Sequence, residues 1–134
     1  MSHRETVDDY IRRFGERVGV TFDPLNEQGY CEITRGSARV RVNVLEEHGV
    51  LLFLAPLMKV PERNRLEFYR KLLELSFLAT SDAAFAIDKK TEVAYLRIFR
   101  RLEGIDFDEF EDLLHTIALV ADEWDDKLRD QFGA

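Results

Sequence analysis

The sequence predicts an α+β fold, an antiparallel sheet with three helices in the order α-β-β-β-α-β-β-α, with residues 1–134 forming one domain. Two kinds of observation support this. Apolar residues recur at helical spacing near both ends and in the middle of the chain, and between them lie short runs with strand alternation. Short links between most of the strands favour antiparallel pairing, since parallel crossovers need about a dozen residues or more. A chain of 134 residues buries roughly two-thirds of its unfolded surface, enough to fold without disulfides or metals.

The elements follow in order. Ser2 with Glu5 reads as a capping box, and Val7, Tyr10, Ile11, Phe14 and Val18 then mark one face of a helix that stops at Gly19. Gly15 inside it costs about 1 kcal/mol relative to Ala. A turn-rich link, "DPLNEQG", leads to "YCEITR", which ends at "GS". "ARVRVNVLE" alternates, with Val40, Val42 and Val44 on one face and Arg39, Arg41 and Asn43 on the other. "VLLFLAPL" is apolar on both faces and is expected to be covered on both sides.

Pro61 suits the first turn of a second helix running to about Leu78. Its apolar residues form two stripes: Leu66, Tyr69, Leu73 and Phe77, and beside it Phe68, Leu72, Leu75 and Ala79. A helix resting on one sheet needs less, so this helix is expected to touch something besides its own sheet. "AFAID" and "VAYLRIFRRL" flank "KKTE" as a hairpin. Asp106 with Glu109 caps the last helix, whose core side carries Phe110, Leu113, Leu114, Ile117, Val120, Ala121, Trp124 and Leu128.

The stretch "VAYLRIFRRL" has two apolar faces. Ala94, Leu96, Ile98 and Leu102 suit a core, yet Val93, Tyr95 and Phe99 share the opposite face with Arg97 and Arg101. Either helix two forms a second buried layer over them, or this face meets another chain. Pattern alone does not choose between the two.

Composition excludes several classes of function. The formal net charge of -7 argues against nucleic-acid binding. No apolar run approaches the ~20 residues of a membrane span, and the N-terminus lacks the apolar core of a secretory signal. Residence in the cytoplasm is the simplest expectation, and Cys31, the single cysteine, suits a reducing compartment.

No catalytic motif is evident, and the chain is read as non-enzymatic with no cofactor. Glu111 and His115 share a helix face, but a metal site needs more ligands, and a surface pair accounts for them more simply. Cys31 is read as a small buried hydrophobe. The acidic run "DEWDD" is read as carboxylates on a solvated helix end. The glycines are scattered, and no phosphate-binding loop is present.

The segment "LLELSFLATSDAAFAIDKKTEVAYLRIFRRLEGIDFDEFEDLLHTIALVADEWDDKL" resembles the C-terminal half of type III secretion chaperones of the Tir chaperone type, and is similar also to YbjN-type bacterial domains. The shared features are a Leu-rich helix ending in small residues, an "AFAID"-like strand and hairpin, a strand closing on "LEGID", and an acidic-capped helix with a late Trp. The resemblance implies a small acidic cytoplasmic homodimer that binds an extended segment of a secreted effector by hydrophobic patches and added strand pairing. It implies that helix two, at Leu66, Tyr69, Leu73 and Phe77, supplies the dimer contact. Val93, Tyr95, Arg97 and Phe99 are expected to meet the client.

Arg39 and Arg41 on strand two, and Arg97, Arg100 and Arg101 on strand five, depart from an apolar client groove. They suit acidic groups on a partner, or they keep an exposed sheet face soluble. The alternatives are a YbjN-like regulatory or assembly module that binds a folded partner, and a small-molecule binder or enzyme with a pocket between helices.

Overall fold

In a computed structural model, which describes residues 2–133, the elements occur in the expected order. They are α1 (His3–Val18), β1 (Tyr30–Arg35), β2 (Ala38–Leu45), β3 (Val50–Lys59), α2 (Arg65–Leu78), β4 (Ala84–Asp88), β5 (Val93–Arg101) and α3 (Phe107–Phe132). A short 3-10 turn, Glu46–His48, joins β2 to β3. The five strands form one sheet in the order β1-β2-β3-β5-β4, antiparallel throughout.

Local chemistry sets the boundaries. The Ser2 hydroxyl accepts from the Glu5 amide at 3.1 Å and starts α1, and Gly19 ends it in the left-handed conformation. Asp106 starts α3 in the same way, accepting from the Glu109 amide at 2.8 Å. The second helix begins at Arg65, four residues after Pro61, which corrects the expected start. Asn64 is the reason: its φ of 58° is left-handed, so Pro61 lies in the approach to the helix and not in its first turn.

One face of the sheet carries the core. Val40, Val42, Val44, Leu51, Phe53, Ala55, Leu96 and Ile98 are buried beneath α3, with α1 packed beside α3 and against β2. Phe53 meets Phe110 at 5.6 Å between ring centres, and Tyr10 of α1 meets Phe110 at the same distance. Helix α2 lies against β4 and reaches the end of α3, where Phe68 packs edge-on to Phe132 at 5.2 Å.

The expectation that β3 is covered on both sides does not hold within the chain. Leu51, Phe53, Ala55 and Leu57 are buried, but Leu52, Leu54 and Pro56 on the other face are only half-buried. The helices pack on the inner face and at the β4 end, leaving that outer face without a helix layer.

Gly15 has a packing reason. A Cβ placed there would lie 2.4 Å from the Val20 carbonyl oxygen, where the chain turns back over α1. Helix propensity alone favours Gly15→Ala by about 1 kcal/mol. We expect the clash to win, with a net loss of about 1–3 kcal/mol, seen as a lower urea midpoint at unchanged slope.

Candidate functional site

Two apolar surfaces stay uncovered. The first is on α2, where only Phe68 and Leu72 are buried. Leu66 is 81% exposed, Leu73 74% and Phe77 82%, and Leu78 is equally open. Tyr69 is half-buried, and its hydroxyl accepts from the Arg65 guanidinium at 3.1 Å, while Arg65 also pairs with Glu92 at 2.6 Å. Leu66, Tyr69, Leu73 and Phe77 thus line one shallow, open depression, edged by Arg70 and Glu74. Contiguous apolar patches of this kind mark interaction sites in soluble proteins.

The second surface is the outer face of the sheet. On β5, Ala94, Leu96 and Ile98 face the core; Val93 and Tyr95 are half-buried, while Arg97 and Phe99 are exposed, Phe99 by 50%. Pairing sets their neighbours: Leu52 lies between Asn43 and Phe99, and Leu54 between Arg41 and Arg97. The Arg41 guanidinium stacks 4.1 Å over the Tyr30 ring, and Arg97 lies 5.8 Å from the ring centre of Phe99.

This face is grooved, and Pro56 accounts for the groove. Proline has no amide hydrogen to give to a ladder. The β2–β3 pairing ends at Arg41 and Leu54, and β3 shifts register against β5 between Pro56 and Met58. The groove opens there, lined by Glu32, Arg39 and Arg41 on one side and Leu54, Pro56, Val93 and Tyr95 on the other.

Arg100 does not belong with Arg97 and Arg101. Strand parity turns it to the helix-covered side, where it pairs with Asp82 at 2.9 Å and Glu109 at 3.7 Å. Arg39, Arg41, Arg97 and Arg101 have no ion-pair partner among the described residues.

The other candidate residues have local roles. Glu111 pairs with Arg17 at 2.5 Å, and His115 packs edge-on to Phe14 at 5.4 Å. Burial, then the nearby charges of Asp8 and Asp23, pushes the Cys31 thiol up to about 12. "DEWDD" is more than a solvated helix end: Asp125 is buried, and both it and Asp122 accept from the Ser37 hydroxyl, tying the β1–β2 turn to α3. Those Ser37 hydrogen bonds hold the Asp122 carboxyl below its usual range. No group of three or more His, Cys, Asp or Glu side chains able to hold a metal occurs among the described residues. No helix among them is long and apolar enough to cross a membrane.

Sequence reasoning missed part of the outer surface. Leu54 and Pro56 line the groove, and Leu78 extends the α2 patch. The signal was present in the alternation of "VLLFLAPL", whose every second residue shares a face with Arg41 and Tyr95.

A five-stranded antiparallel sheet with three helices in the order α-β-β-β-α-β-β-α matches the fold of type III secretion chaperones. The chain belongs to the Tir chaperone protein (CesT) family, whose model matches residues 9–125. Among solved structures, a chain of the ExsC–ExsE complex matches with a TM-score of 0.78 and 21% identity, over 96% of this chain and 97% of that one. A chain of the heterodimeric ExoU–SpcU complex from the type III secretion system of Pseudomonas aeruginosa matches at 0.67 and 19%, over 94% and 97%. YbjN from E. coli matches at 0.59 and 15%, over 89% and 91%. At these identities the likeness is one of fold. No curated protein sequence matches the chain.

The outer face is separable from the core. We expect Phe99→Ala to change stability by no more than about 1 kcal/mol, and its neighbour Ile98→Ala to lose about 2–5 kcal/mol, both measured by urea denaturation.

Proposed function

We propose that this protein is a non-enzymatic, homodimeric, cytoplasmic chaperone that binds an extended segment of a client effector for type III secretion. The observation that carries the reading is the pair of uncovered apolar surfaces, α2 and the outer sheet face, on a chain of the Tir chaperone family. The similar folds of chains in the ExsC–ExsE and ExoU–SpcU complexes support it.

In this reading α2 packs against its twin. A two-fold interface is self-complementary, so one stripe of Leu66, Tyr69, Leu73 and Phe77 suffices for both subunits. The outer face, with Val93, Tyr95, Arg97 and Phe99, then meets the client. The exposed sheet offers apolar contacts, and its edge strands β1 and β4 offer backbone groups. None of this requires chemistry on the client, only capture of an unfolded segment.

Light scattering across a dilution series tests the dimer. The wild-type protein is expected to stay dimeric to low micromolar concentration. Leu73→Glu and Phe77→Glu are expected to yield folded monomers, because each would bury an unpaired charge at the interface while touching little of the chain's own core. If both variants stay dimeric, the interface lies elsewhere; if the wild-type protein is monomeric, the YbjN-like alternative gains. Limited proteolysis of a client complex tests the second half: a protected, extended client segment supports the reading, and a folded client domain argues against it.

A further inference from the structure

We infer that the groove beside Pro56 selects an extended polypeptide segment in which acidic and aliphatic side chains alternate. This rests on the client-binding reading and adds a sequence preference to it. Charge complementarity carries it. The chain has 26 acidic residues against 19 Lys and Arg, and elsewhere its arginines are largely neutralised: Arg12, Arg17, Arg65, Arg100 and Arg129 all pair with carboxylates. Arg39 and Arg41 are exposed and have no such partner among the described residues. Glu32 is the one carboxylate lining the groove among the described residues. It lies on β1 across from Arg41 without forming an ion pair with it, and Arg97, on β5, lies across Leu54 from Arg41.

The two sides of the groove differ in chemistry. Arg39 and Arg41, with Glu32 the only opposing charge there among the described residues, make one side net cationic; Leu54, Pro56, Val93 and Tyr95 form an apolar one. An extended chain sends successive side chains to opposite sides. Lying on edge in the groove, it would direct every second side chain to the arginines and the others to the apolar side. The spacing also agrees. Arg39 and Arg41 are two residues apart on a strand, about 6.7 Å, and carboxylates two apart on an extended segment repeat at the same about 6.7 Å. The stack of Arg41 on Tyr30 holds one guanidinium in place, and arginine favours paired contact with carboxylates.

A folded acidic surface would meet the arginines but would not send alternate side chains to the apolar Leu54–Pro56 side. A nucleic acid would bring phosphates but no aliphatic side chains for the Leu54–Pro56 side.

The test uses the full-length protein and labelled twelve-residue peptides of alternating Glu and Leu, with Gln–Leu and Lys–Leu counterparts and a single-stranded oligodeoxynucleotide. Binding is followed by fluorescence anisotropy at low and at moderate salt. The Glu–Leu peptide is expected to bind at least ten-fold more tightly than the Gln–Leu peptide, with the advantage shrinking as salt rises. In Arg39→Gln/Arg41→Gln that advantage should fall to about two-fold, with an unchanged melting temperature. Lys89→Gln/Lys90→Gln, which removes the same charge at the β4–β5 hairpin, should keep it.

Equal binding of the Glu and Gln peptides overturns the inference and leaves the client reading standing. Oligonucleotide binding that matches the Glu–Leu peptide and depends on Arg39 and Arg41 also overturns it, making the groove a general polyanion site. If no peptide of any charge binds, both the inference and client capture on this face fail.

Discussion

Coverage of the sheet on one face only is the constraint on which the rest of this structure depends. It assigns each strand residue to core or surface by parity, and a slip of one residue would reverse every assignment. In β2 such a slip would bury Arg39 and Arg41 and expose Val40 and Val42, an uncompensated charge burial that no packing gain would offset. The register is therefore fixed by the same alternation that decorates the outer face. Helix α3 enforces it from above. Phe110, Leu114 and Ile117 are fully buried against the sheet, and Tyr10 locks α1 to this unit, its hydroxyl donating to the Ile105 carbonyl at 2.9 Å.

Helix α2 stands apart from that arrangement. Left-handed residues bracket it, Asn64 with φ 58° and Ser81 with φ 53°. It is held to the chain mainly along one side: Phe68 and Leu72 are buried, Tyr69 and Leu75 pack against the core, Arg65 pairs with Glu92, and the Ser76 hydroxyl accepts from the Phe85 amide at 3.1 Å. Its other side, with Leu66, Leu73 and Phe77, gains nothing from its own sheet, yet it is rich in Leu and Phe. Burying Leu66, Leu73 and Phe77 elsewhere would contribute about 1.5–3 kcal/mol per side chain if complete. Because α2 and the outer sheet face are different surfaces, a subunit contact on one leaves the other open to an extended chain.

Much of this was legible in the sequence. Every element was visible, because turn residues and caps punctuate the chain: Ser2, Gly19, Gly36, Gly49 and Asp106 each mark a boundary found in the structure. The two stripes of α2 differ as the helical period suggests, though not cleanly: Phe68 and Leu72 of one are buried while its Leu75 is half-buried and its Ala79 exposed, and Leu66, Leu73 and Phe77 of the other are exposed while its Tyr69 is half-buried. Three features were not legible. The start of α2 depended on the left-handed Asn64, which composition does not reveal. The outer face of β3 looked like core because hydrophobicity alone does not distinguish a buried apolar face from an uncovered one. The groove needed both the interrupted ladder at Pro56 and the residues that pairing brings across from β2 and β5, and such long-range registers are absent from local pattern.

The charge distribution gives the outer face a second property besides apolar contact. Most of this acidic surface repels carboxylates, whereas the strip with Arg39, Arg41, Arg97 and Arg101 attracts them. The effect is local, since charges are screened beyond about 8 Å at physiological ionic strength. A purely apolar groove would accept any greasy unfolded segment, including many that should be rejected. Interleaving arginines with Leu52, Leu54 and Tyr95 penalises such segments, because guanidinium groups would lose water without gaining partners. In the proposed client reading, discrimination would come as much from what the arginines exclude as from what they attract. If this face binds an extended chain as proposed, the departure from an apolar groove would narrow the range of chains it accepts and still leave room for an extended one.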